Sequence, residues 1–209
     1  MSVRRTNDEP ITAPPRRHRN TLLRMLRSRD GAAAIEFALL AIPYFLVIFA
    51  IIETFVAYSA EQLLSSATNN LARQIRTGEI TYGLGRSTDM TKVQFRKALC
   101  DEIAVLIRCT ASEAATPSKL YIDVNNYTDF SSVPTTIARV SSADFADIDT
   151  SAFTYNPGGP KTINMVRTFY RWQVVTDLVR PFITNIRPAD GSSTFLIVAT
   201  TTFKNEDYP

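Results

Sequence analysis

From Ala32 to Ile52 the chain carries 21 residues, and only one of them, Glu36, is charged. Folded as a helix, that run spans about 31 Å at about 1.5 Å per residue, which matches the hydrocarbon core of a bilayer. The stretch from Phe37 to Ile52 is apolar on every face and flanked by arginines on one side only. A buried core helix would be wetted along one stripe, so the pattern favours a transmembrane helix. A cleaved secretory signal is the other competitor. Its apolar region runs about 7–15 residues with a small-residue cleavage site close behind. Ala57-Tyr58-Ser59 would serve, but only after an unusually long leader.

Charge gives the orientation. Residues 1–30 hold eight arginines and three acids, whereas the rest of the chain is slightly acidic. The positive-inside rule places this leader in the cytoplasm and everything from about Thr54 onward across the membrane. Pro43 falls mid-span, removes one backbone hydrogen bond and crowds the carbonyl of Leu39, so a kink or local loosening is expected. Glu53 lies at the outer boundary, within reach of water. Glu36 lies about one turn inside the inner boundary, where an ionisable side chain marks a functional position unless it snorkels to the interface or is protonated.

Composition excludes several classes. With 45% hydrophobic residues in 209, the chain has enough apolar content for a core and is not a disordered polymer. A net charge of +3, concentrated in the leader, is not the basic stripe of a nucleic-acid binder. The single histidine, His18, and two cysteines, Cys100 and Cys109, exclude a histidine-rich metal site and a four-cysteine zinc site. Beyond the leader there is no histidine, so neither a Ser-His-Asp triad nor a Cys-His dyad is available there. No phosphate-binding glycine loop occurs. Asp101-Glu102 and the Asp144, Asp147, Asp149 group read as solvated acids. The expectation is a protein that is not an enzyme and takes no cofactor.

The segment Gly31-Ala32-Ala33-Ala34-Ile35-Glu36-Phe37 resembles a type IV prepilin processing site: basic leader, glycine, four apolar residues, glutamate, aromatic, apolar helix. Small residues at 31–34 let a peptidase approach the backbone. A cut after Gly31 makes Ala32 the new N-terminus, whose ammonium can pair with the Glu36 carboxylate of a neighbouring subunit. Four later stretches sharpen the resemblance: FRKALCDEIAVLIRC from Phe95, LYIDVNNYTDF from Leu120, YNPGGPKTINMVRTFYRW from Tyr155 and TFLIVATTTFKNED from Thr194. In order and wording they resemble the TadE-like family of tight-adherence (Tad, or Flp) pilus assembly proteins, over residues 31–207. The resemblance implies a single-pass protein of the bacterial inner membrane, a minor pseudopilin or assembly factor. Its implied partners are the Tad inner-membrane platform, the major pilin, other minor pseudopilins, a prepilin peptidase and membrane lipid. The alternative is a single-pass periplasmic module that binds cell wall or a small ligand, its site formed by the loop 128–162 and the exposed side of Trp172.

The expected organisation is a cytoplasmic leader over 1–30, a transmembrane helix over 31–53 and a periplasmic domain over 54–209. Ala60, Leu63, Leu64, Ala67, Leu71 and Ile75 continue helical spacing, and Thr77-Gly78 ends it. Period-two alternation predicts strands at Leu120–Val124, Val166–Val174 and Phe195–Phe203. A second helix is expected over Met90 to about Leu106. The predicted class is α+β: a long N-terminal helix packed by its outer half on a small antiparallel sheet, with one extra helix. Thr128 to Thr162 shows no sustained periodicity and reads as a surface loop or a docking surface.

Cys100 and Cys109 fall in the exported part, where oxidation is favoured. On one continuous helix they would be about 13.5 Å apart along the axis, too far for a disulfide. A bond requires the helix to break between them, near Val105–Arg108. Otherwise two free thiols remain.

Overall fold

The computed structural model describes residues 29–176 and 179–209. Residues 1–28, nearly all of the expected leader and including His18, lie outside the described residues. The fold is α+β. Helix α1 (Arg29–Thr77) runs through Pro43 and contributes to two compact units that divide after Val47.

In the first unit the apolar side chains of α1 face outward: Phe37, Leu39, Leu40, Ile42 and Tyr44 are all exposed. The most apolar stretch of this helix has a mean hydropathy of 2.5 and no buried residue. Among the described residues it is the one helix long and apolar enough to cross a membrane. A soluble core helix would bury such a stretch, and this one does not.

In the second unit the remainder of α1 becomes amphipathic and buries one stripe. Ala60, Leu64, Ala67, Leu71 and Ile75 are all but inaccessible. The stripe packs on a three-stranded antiparallel sheet in the order β1 (Leu120–Tyr127), β2 (Ile163–Gln173), β3 (Thr194–Lys204). Val124 pairs with Val166, and Val166 with Thr201. Alternation then puts Leu120, Ile122, Val124, Val166, Tyr170, Ile197 and Ala199 on the helix side, in one core with the stripe. Thr68 of α1 and Thr168 of β2 meet inside it, their hydroxyl oxygens 2.6 Å apart. Each hydroxyl thereby satisfies the other where water cannot.

Helix α2 (Lys92–Ile103) starts later and stops earlier than the periodicity alone indicates. Thr91 accepts a hydrogen bond from the backbone of Gln94, and the Gln94 side chain accepts one from the backbone of Thr91. This reciprocal cap fixes the start. The chain leaves the helix after Ile103 and turns through 104–109. Two shorter helices, α3 (Ala111–Ala115) and α4 (Arg180–Ile183), join the one extra helix foreseen. At the far end of α1, Gly78 takes φ +81° and lies against the Tyr208 ring, where an added Cβ would come within 2.6 Å. Only glycine meets both demands.

Much of the region 128–162 is a second layer over the other face of the sheet, while its Thr154–Asn156 stretch bonds alongside Val124 of β1 and turns Tyr155 into the helix-side core. Ile148, with Ile137 and Phe153, packs on Phe169 and Leu196. Phe153 stacks on Phe169 at 4.9 Å. Arg167, buried at the middle of β2, donates to the carbonyls of Pro134 and Thr136. Arg171 pairs with Asp147 and lies 4.8 Å over the Tyr121 ring. The apolar residues of this region are few and irregularly spaced, because each is placed by a turn and not by an element's period.

Glu113 of α3 clasps the entry to β1. One carboxylate oxygen accepts from the backbone of Ser118, Lys119 and Leu120 at 2.6–2.7 Å, and the other accepts from the Ser118 hydroxyl at 2.6 Å. Partial burial acts to raise its pKa, but these donors outweigh burial and hold the carboxyl below its ordinary value. A depressed carboxyl pKa contributes stability above the unfolded pKa and loses it as pH falls through the folded one. Glu113→Gln is therefore expected to cost roughly 1–2 kcal/mol at neutral pH, after allowance for solvent screening. The difference from the parent should close as pH falls below about 4.5. Urea titrations of both proteins in detergent at pH 7 and pH 3 check this; an equal gap at both pH values would contradict it.

Candidate functional site

The residues singled out from the sequence fall into two places. Gly31, Ala32 and Glu36 all lie in the first turns of α1, in the first unit. The backbone is helical at Gly31 and Ala32. Ala32 and Glu36 are four positions apart, so a helix brings them to the same face. Glu36 is exposed, with exposed Ile35 and Phe37 beside it. No ion pair reaches it among the described residues. The next acid along α1 is Glu53, more than four helical turns on. A carboxylate so placed, in a helix surface of otherwise apolar side chains, has to be neutralised from outside the chain or stay near water.

The second place is in the unit beyond Ile48. Cys100, on α2, and Cys109, after it, are joined by a disulfide with Cα atoms 5.3 Å apart. The separation is reached because α2 ends at Ile103 and the chain doubles back, a little earlier than the break the sequence calls for. Cys100 is buried against the same core as α1. The link thus ties α2 to the start of α3.

Glu53, read from sequence only as a boundary acid, has a structural task. Its two carboxylate oxygens accept hydrogen bonds from the backbone of Val175, at 2.5 Å, and Thr176, at 2.9 Å. It pins the chain leaving β2 to the helix. The sequence signal was an acid closing the apolar run, but its partner lies more than 120 residues away in the chain. Arg96 was likewise not foreseen: it is buried and donates to the carbonyl of Ala114 at 2.6 Å, with its pKa lowered by burial.

Other groups do not converge. Trp172 packs on the helix side of the sheet, whereas Ile137, Ile148 and Phe153 lie on the opposite side. The sheet thus separates Trp172 from Ile137, Ile148 and Phe153, whereas Tyr155, at the end of the same region, packs in the helix-side core. Asp147 is engaged by Arg171 and Asp149 by Ser151. Asp101 pairs with Lys97, and Glu102 accepts from Asn70. Among the described residues no three His, Cys, Asp or Glu side chains gather as a metal site would require.

Residues 31–73 match the family described as TadE-like protein. The matched segment is almost coextensive with α1: it takes in Gly31, Glu36, the exposed apolar stretch and most of the buried stripe. It ends before the four later stretches that carry the rest of the resemblance. No curated protein and no solved structure matches the chain.

Proposed function

We propose, starting from the TadE-like character of residues 31–73, that this chain is a membrane-anchored, pseudopilin-like subunit that helps to assemble a Tad pilus. Its role is structural and not catalytic. The leader is cytoplasmic, α1 crosses the bacterial inner membrane over about 31–53, and the unit from 54 to 209 is periplasmic. The observation that carries the reading is Glu36: an exposed carboxylate, five residues after a glycine, in an outward-facing apolar helix covered by the family match.

In this reading a prepilin peptidase cuts after Gly31, and the new ammonium of Ala32 pairs with the Glu36 carboxylate of a neighbouring subunit. The bond lies within the first turn of α1, where the first four N–H groups lack partners and the helix opens most easily. A signal-sequence reading fits the fold poorly: Ala57 and Ala60, which flank the conceivable cleavage site, belong to the buried side of the same helix. The periplasmic unit adds a further contact surface. Val198, Thr200 and Thr202 turn their backbone groups away from β2, and no partner meets them among the described residues. An open edge of this kind accepts a strand from another chain. The disulfide between Cys100 and Cys109 suits an oxidising compartment.

A strain lacking the gene is expected to make the major pilin yet carry no surface pili. The chain supplied back from a plasmid and extracted from the membrane is expected to begin at Ala32 and to weigh two hydrogens less than its dithiol form. Normal piliation in the deleted strain would remove the assembly role. An intact mass that retains Arg4 and Arg5 would remove processing.

A further inference from the structure

We infer that Val175 and Phe182 form a second membrane contact, seated in the lipid interface beside the point where α1 emerges. The inference rests on α1 being a transmembrane helix. Three observations support it, all from the unit beyond Ile48.

The first is exposure. Val175 is 81% exposed and Phe182 is 85% exposed. Exposed apolar side chains mark a contact site where they gather with others. The second is level. The Glu53 carboxylate holds the backbone of Val175 and Thr176. That sets Val175 at the height of the residue that closes the apolar run. Phe182 and Ile183 line a groove with Thr54, Tyr58 and Glu61 of α1. Those positions are one to eight residues past Glu53, so the groove spans about 1.5–12 Å above it. The headgroup zone on one side of a bilayer is about 5–7 Å deep. The lower part of the groove, at Thr54 and Tyr58, falls within that depth, and Glu61 lies beyond it. The third is continuity. Ile51, Ile52, Phe55 and Tyr58 are exposed along α1, and Tyr58 lines the groove with Phe182. The charged groups beside Val175 and Phe182 are Glu53, whose oxygens are turned to the backbone, and Arg180, which acts on Glu53 and donates to the Val174 carbonyl; an arginine at this level suits the headgroup zone.

The occupant this fits is the acyl and headgroup boundary of the lipid. Phe182 is an amphipathic anchor's apolar half, and the adjoining Tyr58 is a residue type enriched at that depth. The consequence is mechanical. Two separated contacts with the same leaflet restrict how the periplasmic unit tilts about α1, and so present the open edge of β3 in a restricted direction.

Spin labels test this in the full chain, reconstituted in phospholipid nanodiscs under non-reducing conditions so that Cys100 and Cys109 do not react. Labels go at Phe182→Cys and Val175→Cys. Ile42→Cys reports the span, and Thr200→Cys is the water-exposed reference. Collision with oxygen, which concentrates in lipid, and with a water-soluble nickel complex gives each label's surroundings. The expected result is that 182 and 175 collide several-fold less with nickel and more with oxygen than 200, at a depth shallower than 42. Labels at 182 and 175 that behave like 200, while 42 reads as lipid, would overturn the inference and leave the transmembrane helix standing. Labels shielded from both reagents would indicate a protein partner in the groove and overturn it equally. If 42 itself meets nickel freely, the transmembrane reading fails and takes the inference with it.

Discussion

Replacing Glu36 with alanine or glutamine is expected to abolish surface pili while the chain stays in the membrane at its normal level. Either change makes the run from Ala32 to Ile52 wholly uncharged, so insertion is not weakened. What is lost is the anion that a neighbour's amino terminus would neutralise. A charge near the middle of a membrane helix costs about 2.5–3.5 kcal/mol, and somewhat less one turn inside the boundary. Taking about 2 kcal/mol for each lost pairing, every subunit contact weakens roughly thirtyfold. A fibre that needs many such contacts would not form. Glutamine is the sharper substitution, because it keeps size and removes only charge. Piliation counted by electron microscopy, beside membrane levels by immunoblot, checks the result. Normal pili with Glu36→Gln would mean that the carboxylate does not pair.

The second large effect is expected at Arg167. Its guanidinium is buried beneath the 128–162 layer and satisfies the carbonyls of Pro134 and Thr136. Arg167→Ala removes the two hydrogen bonds that fasten Pro134 and Thr136, themselves exposed, to β2, and opens a cavity next to Phe169. The expected loss of stability is about 3 kcal/mol. Arg167→Lys should not rescue it, because one ammonium cannot reproduce the two-pronged geometry. Hydrogen exchange should quicken first at Val140 and Asp149, whose amides bond within that layer. Exchange should stay slow in β2, where the ladder is intact. If Arg167→Ala leaves exchange in 134–153 unchanged, the arginine is not what fastens this layer.

These two residues show what could be read from the chain and what could not. Glu36 stands alone in 21 residues, and nothing about the fold is needed to notice it. Arg167 sits in a strand of alternating residues where a charge would ordinarily be assigned to solvent. Its face proves to be an interior only because a region without periodicity lies over it. The apolar residues of that region up to Phe153 lie across the sheet from Trp172, although sequence reading joins the two. Glu53 is intermediate: its position is conspicuous, yet its task depends on two amides that follow a strand starting 110 residues later.

By itself the sequence determined the features that are local and periodic. These are the apolar run and its basic flank, the stripe from Ala60 to Ile75, the three strands with their two alternating faces, and the class they compose. Each follows from a repeat of two or 3.6 residues, or from the cost of placing charge in hydrocarbon, and neither depends on distant parts of the chain. The tertiary structure alone decided which face of the sheet receives the helices and which receives the 128–162 layer. It also decided where α2 stops so that Cys100 can reach Cys109, and what Glu53 and Glu113 hold. Those outcomes depend on pairs of groups far apart in sequence, whose meeting is fixed by packing and hydrogen-bond satisfaction across the whole core, and no local pattern encodes them.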